Sequence, residues 1–201
     1  MPEPAIAGDL SFNELLFNPL QNEQDFIEFY NNSGKTINPA SLFLASINEE
    51  GDTSELLLLY QQDMCILPGS YYTVTIDKES LVNRYPESNS ENIYESEKLP
   101  SMPDARGHLL LLNRKLDLID EVIYNEKMHY PLLNTYEGIS LEKVRPDIPS
   151  CSTQAWHSAS ESSGWGTPGK ENSVISVSAS TYDIVNLSSG RISPDNDGFE
   201  D

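Results

Sequence analysis

Asp195, Asp197 and Asp201 form an Asp-x-Asp-Gly-x-x-Asp run near the end of the chain. Carboxylates spaced by two, with a glycine to turn the backbone, suit calcium, a hard cation that takes oxygen ligands. Asp195 and Asp197 would face one ion, and Gly198 would bring Asp201 back towards it. The ion needs about six to eight oxygens, so these carboxylates alone leave its shell incomplete. The run reads first as a solvated acidic turn, and as a calcium site only where further ligands complete it. Calcium is the one candidate cofactor.

Other chemistry-bearing residues are scattered. His129 lies between Met128 and Tyr130, and His157 follows Trp156. Two histidines fall short of the three or four ligands of a metal centre, so these rings, with His108, are expected to pack at the domain edge. Cys65 and Cys151 have no CxxC spacing, which argues against zinc. Two readings stay open for them: free, half-buried thiols, or one disulfide if the protein is exported. Cys151 and His157 are the Cys/His pair closest in sequence, but Cys151 sits in a Pro/Ser-rich stretch and closeness in sequence does not make a dyad. Neither a nucleophile elbow nor a glycine-rich phosphate cradle occurs. Glu28, Asp120 and Glu142 fall inside strand-like segments. A buried carboxylate needs a partner, which Lys143, Arg145 or backbone amides could supply, and these acids read as structural. No catalytic or cofactor-binding residue is assigned.

The totals exclude some partners. The chain has 201 residues, 12 basic against 32 acidic, and a net charge of -20. Nucleic-acid binding rests on Lys and Arg that displace counterions from phosphates, so nucleic acid is not an expected partner. An anionic membrane surface would repel the chain for the same reason. No apolar stretch approaches the length of a membrane span, and the start Met1-Pro2-Glu3-Pro4 lacks the basic and apolar regions of a secretory leader.

The elements that must position these residues read as short strands. Hydrophobic content is 38%, but it is clustered, as in the apolar runs 56–60 and 109–112. Strands are expected at 10–17, 26–30, 42–47, 56–60, 71–76, 109–113, 118–124 and 138–144. In 26–30 the alternation puts Ile27 and Phe29 on one face, with Phe26, Glu28 and Tyr30 on the other. In 138–144 the apolar series is Ile139, Leu141 and, after a slip, Val144. Asp77 stands where a helix N-cap belongs, before a short helix at 78–85 that Pro86 ends. Residues 87–97 read as a polar loop insertion. Expected core residues are Phe29, Leu44, Val74, Leu111, Val122 and Leu141. Short strands at close spacing point to a β-sandwich instead of a βαβ fold. From Arg145 the composition shifts to Pro, Ser, Gly and Trp.

Six blocks follow one another in order: Asn13-Glu14-Leu15-Leu16-Phe17-Asn18-Pro19, Asp25-Phe26-Ile27-Glu28-Phe29-Tyr30-Asn31-Asn32-Ser33, Leu67-Pro68-Gly69, Ile119-Asp120-Glu121-Val122-Ile123-Tyr124, Gly138-Ile139-Ser140-Leu141-Glu142-Lys143-Val144, and Thr167-Pro168-Gly169-Lys170-Glu171-Asn172. This order resembles the lamin-tail domain in the form found on surface and secreted proteins of Bacteroidetes-type bacteria. Ser193-Pro194-Asp195-Asn196-Asp197-Gly198-Phe199-Glu200-Asp201 resembles the opening of a C-terminal attachment or export module of such proteins. The resemblance implies an all-β fold: an Ig-like β-sandwich with one short helix and an irregular C-terminal arm, whose Trp156 and Trp165 bury against the sandwich. It implies a linker at 1–8, the sandwich at 9–173, and at 174–201 a linker with the start of a following domain. It further implies a fragment of a longer extracellular or cell-surface protein, associated with the outer membrane. There it would be a non-catalytic spacer or a docking surface for protein or glycan. The alternative is an accessory domain of a secreted hydrolase or nuclease whose catalytic domain lies outside this chain. The DNA and chromatin contacts of nuclear lamin tails do not carry over to so acidic a chain.

Overall fold

Alternation in the chain dictates the layers. In a strand successive side chains point to opposite faces, and the segment Phe26–Asn31 buries Ile27 and Phe29 in the main core while Phe26 joins a second apolar cluster. The computed structural model describes residues 2–54, 56–59 and 65–175. Asp195, Asp197 and Asp201, the candidate calcium ligands, lie outside the described residues, as does the motif around them. In chain order the strands are β1 (Leu10–Leu16), β2 (Phe26–Asn31), β3 (Leu42–Ser46), β4 (Leu57–Leu58) and β5 (Tyr71–Thr75). They continue with β6 (Ile93–Glu95), β7 (Arg106–Asn113), β8 (Leu118–Asn125), β9 (Leu141–Lys143) and β10 (Trp156–Ser158). The α-helix α1 (Lys78–Arg84) lies between β5 and β6.

Two sheets make an all-β sandwich. One has six strands in the order β10-β9-β1-β2-β5-β6 and the other has four in the order β4-β3-β7-β8. Phe12, Leu15, Ile27, Phe29, Val74 and Leu141 from the first sheet share one core with Leu42, Leu44, Leu109, Leu111, Val122 and Tyr124 from the second. All six residues expected in the core are there, each at most 2% exposed. Leu111 is fully buried, at 0% exposure, and Leu111→Ala is expected to cost about 2–5 kcal/mol through lost contacts and a residual cavity.

Departures from expectation have local causes. The segment 87–97 is no plain loop: a 3-10 turn at Ser90–Asn92 leads into β6, which pairs parallel with β5. Its polar composition hides a strand that buries only Ile93 and Tyr94. β5, α1 and β6 thus form a βαβ crossover at the sheet edge. The irregular arm also holds a strand, β10, paired antiparallel with β9. The expected slip in 138–144 does not occur. Lys143 is buried and holds the position that the phase of Leu141 assigns to the inner face. The segment before Gly8, read as a linker, lies against the body: Glu3 bridges Ile37 and Ala5 is buried.

The helix forms where its cap predicts. Asp77 accepts a hydrogen bond from the Ser80 amide, satisfying a first-turn donor. Leu81 and Tyr85 press on Leu16, Phe26 and Ile93, covering one end of the outer face of the six-stranded sheet.

Candidate functional site

The outer face of that sheet carries a row of carboxylates. Register places Glu14 of β1 opposite both Glu28 of β2 and Glu142 of β9. The row continues to Thr73 of β5 on one side and His157 of β10 on the other. All three glutamates are fully buried, although an ionised carboxylate in such surroundings is strongly disfavoured without partners.

The C-terminal arm supplies those partners. Thr167-Pro168-Gly169-Lys170 is a tight turn, closed by the Lys170 amide on the Thr167 carbonyl at 3.2 Å. Pro168 suits its second position, and Gly169, at φ +81°, takes the left-handed third position that glycine favours. The turn aims its donors at the row. The Gly169 amide donates to Glu28 Oε2 at 2.6 Å, and the Thr167 amide to Glu14 Oε1 at 2.8 Å. Glu28 also accepts from Asn13 Nδ2 and Thr73 Oγ1, and Glu14 from Ser140 Oγ. Glu142 accepts from Ser173 Oγ and the Val174 amide. Asn172 donates to the carbonyls of Asn13 and Lys143, tying the arm to two strands. The residues after α1 clamp the turn from outside. Asn92 donates to the Gly169 carbonyl at 2.8 Å, and a Cβ on Gly169 would stand 2.4 Å from the Asn89 carbonyl oxygen.

Protons follow from this geometry. Thr167 Oγ1 lies 2.8 Å from Glu142 Oε1 and 3.2 Å from Glu14 Oε2, but its hydroxyl has one hydrogen. A protonated Glu14 resolves the conflict by donating to Thr167, which donates on to Glu142. Burial, then the charges of Glu142 and Glu28, push the Glu14 carboxyl well above its ordinary range. Burial lifts Glu28 to about 7 against its three donors, and it raises Glu142 as well. The row is a closed, partly protonated latch beneath the arm.

A second polar chain lies at the end of the sandwich, between the sheets. Asp120 Oδ2 accepts from the Phe12 amide at 2.8 Å and from Ser150 Oγ at 2.6 Å. Ser150 Oγ in turn accepts from Lys143 Nζ at 3.0 Å, and Lys143 also donates to the Pro146 carbonyl at 3.3 Å. Lys143 and Ser150 are each 1% exposed. Burial raises the Asp120 carboxyl and lowers the Lys143 ammonium, while each charge partly restores the other. The chain floors a cleft of about 500 Å3 that Ser11, Tyr30 and Asn32 also line. A modest cleft with convergent polar groups and shifted titrations is where a ligand is first sought.

The partners expected for buried carboxylates are thus found in part. Backbone amides and hydroxyls serve Glu28 and Glu142, and Lys143 reaches Asp120 through Ser150. Arg145 instead pairs with Asp147 in solvent. Ser150 had no signal beyond its Pro/Ser-rich neighbourhood, and the ladder of Glu14, Glu28 and Glu142 becomes visible only with strand register.

The other candidates separate. Both cysteines are free and exposed, so no disulfide joins them and they are less covered than expected. Cys151 donates to the Glu121 carbonyl, and burial first, then nearby carboxylates, lifts its thiol to about 11, away from thiolate chemistry. His157 Nδ1 faces the Ser158 carbonyl, so no dyad forms with Cys151. His129 is buried and stacked on Tyr136, with Nδ1 on Ser158 Oγ, so it is an interior residue and not an edge one. His108 pairs with Glu121. Trp156 is buried and donates to the Ser150 carbonyl, whereas Trp165 is only half-buried. Among the described residues, no group of three His, Cys, Asp or Glu could hold a metal ion. No helix among them is long and apolar enough to cross a membrane. No protein-family model matches the chain, and no curated protein matches it.

Proposed function

We propose that this chain is a non-catalytic module of an exported or cell-surface protein, a lamin-tail-like, Ig-like sandwich that presents a docking surface. One observation carries the reading. The polar residues of four sequence blocks, separated by up to 159 residues of chain, meet in one cluster. Asn13 with Asn172, Glu14 and Glu142 with Thr167, and Glu28 with Gly169 make hydrogen bonds that seat the arm. Residues that would be acids and bases in an enzyme here close a fold. The direction of bonding at Ser150 supports the same reading. Its oxygen accepts from Lys143 and its proton goes to Asp120, so these bonds tie the strand-end loop to two strands.

Two measurements test this. Protease shaving of intact cells that express the full-length protein should cleave it, and resistance until lysis would defeat the surface assignment. The purified chain should not turn over chromogenic ester, glycoside or phosphodiester substrates. Turnover abolished by Ser150→Ala would replace the module with an enzyme.

A further inference from the structure

We propose that the cleft over Asp120, Ser150 and Lys143 binds neutral carbohydrate. This rests on the docking-module reading and names its ligand. A volume of about 500 Å3 falls within the usual range of small-ligand sites, about 300–1,000 Å3. One wall is Tyr30, held by its cross-strand neighbour Tyr71 with ring centroids 5.1 Å apart. Tyr30 itself lines the cleft and is half-buried, which leaves part of its ring for the apolar face of a sugar ring.

The polar groups around Tyr30 have capacity to spare. Asn32 Nδ2 donates to Ser11 Oγ at 2.9 Å, which among the described residues leaves the Ser11 hydroxyl proton and the amide oxygen of Asn32 for a ligand. Among the described residues Lys143 Nζ meets two acceptors, and an ammonium has three protons. Donors and acceptors therefore converge together, which matches hydroxyl groups, since each hydroxyl both gives and takes a hydrogen bond. A purely anionic ligand would meet Asp120 and Asp147 in a chain of net charge -20, and a cationic one would meet Lys143.

The floor also argues for a ligand. Apolar side chains of similar volume often replace a buried ionic chain with no loss of stability. Ser150 and Lys143 nevertheless stay buried and Asp120 half-buried, fixed from several sides: Asp120 by the Phe12 amide, Ser150 by the strand-end loop whose carbonyl holds Trp156. Such a rigid, desolvated polar floor orients hydroxyls without reorganising.

The test is a glycan array of neutral and acidic oligosaccharides probed with the purified chain, followed by calorimetry with the best-bound sugar. Neutral sugars should bind, and both Tyr30→Ala and Asn32→Ala should weaken binding at least tenfold while the unfolding midpoint stays near wild type. Tyr130→Ala, at an exposed aromatic away from this cleft, should bind as wild type does. Sugar binding untouched by Tyr30→Ala and Asn32→Ala would overturn the cleft assignment and leave the docking module standing. A blank array, or a protein partner lost with Tyr30→Ala, would overturn the carbohydrate assignment. Release of cleaved sugar, lost with Tyr30→Ala, would uphold the cleft and overturn the non-catalytic reading instead.

Discussion

Glu14 offers the sharpest test of the latch. Its Oε1 accepts from Ser140 and from the Thr167 amide, whereas its Oε2 meets, among the described residues, only Thr167 Oγ1. Glu14→Gln keeps the first oxygen and places an amide N–H where the protonated acid holds its hydrogen. At pH 5 this variant should lie within about 1 kcal/mol of wild type, the scale of one exchanged hydrogen bond. Glu14→Ala strands the buried Thr167 amide at about 1–3 kcal/mol, leaves the Ser140 hydroxyl only the longer bond to the Trp165 carbonyl, and opens a cavity, so a loss of about 3–5 kcal/mol is expected. For a domain of this length that lowers the midpoint by about 6–20 °C, against less than about 4 °C for the amide. Urea unfolding followed by the fluorescence of buried Trp156 reads both. Glu14→Gln as damaging as Glu14→Ala at pH 5 would refute the protonated acid, because it would mean that both oxygens must accept.

Other perturbations probe the same frame. Glu28 is raised from 4.5 to about 7, so the folded state holds this proton more tightly than the unfolded one. Its contribution is full below about 4.5 and lost as pH rises through 7, about 3 kcal/mol in all. His129 works oppositely: burial lowers it from 6.5 to about 4, so its contribution is present above 6.5 and lost as pH falls towards 4. Urea midpoints should therefore fall on both sides of a weakly acidic optimum, and a monotonic rise from pH 5 to 8 would contradict the Glu28 assignment. Gly169→Ala should destabilise by more than about 2 kcal/mol, from the positive φ and the clash with Asn89; hydrogen exchange at the Gly166 and Thr167 amides should then accelerate, and unchanged exchange would count against the clamp. Calcium titrated into this chain should give no saturable heat, because Asp195, Asp197 and Asp201 leave the shell incomplete. Saturable binding lost in Asp197→Ala would establish the loop as a site.

Much of the sandwich was legible because its strands advertise themselves. Ile27 and Phe29 alternate against Glu28, and Asp77 caps the helix where a cap residue must stand. Short edge elements carried too little signal. β6 buries one aliphatic and one aromatic residue in a polar stretch, and β10 has His157 between Trp156 and Ser158. Neither length allows an alternation to be counted. Lys143 misled for a different reason. A lysine in a strand reads as facing outward, and the apolar series in sequence slips to Val144. The hydroxyl that accommodates it on the inner face, Ser150, comes from a loop with no pattern of its own.

The carboxylate row was illegible for a reason in the geometry of β1. Between the pairs Phe12↔Phe29 and Glu14↔Glu28, β1 spends one more residue than β2. Asn13 is that extra residue, a β-bulge. Strict alternation from an inward Phe12 would send Glu14 inward as well, into the apolar core. The bulge resets the phase, so Phe12 and Leu15 stay in the main core while Glu14 and Leu16 turn to the outer face. A shift by one residue exchanges the faces of everything beyond it, and this single inserted residue gives the arm its carboxylate. Asn13 then serves the site it creates, donating through Nδ2 to Glu28 and to Asn172 of the arm. Bulge, acid and arm depend on one another across the whole length of the domain. No local pattern in Asn13-Glu14 could have revealed the ladder before the strand pairing was known.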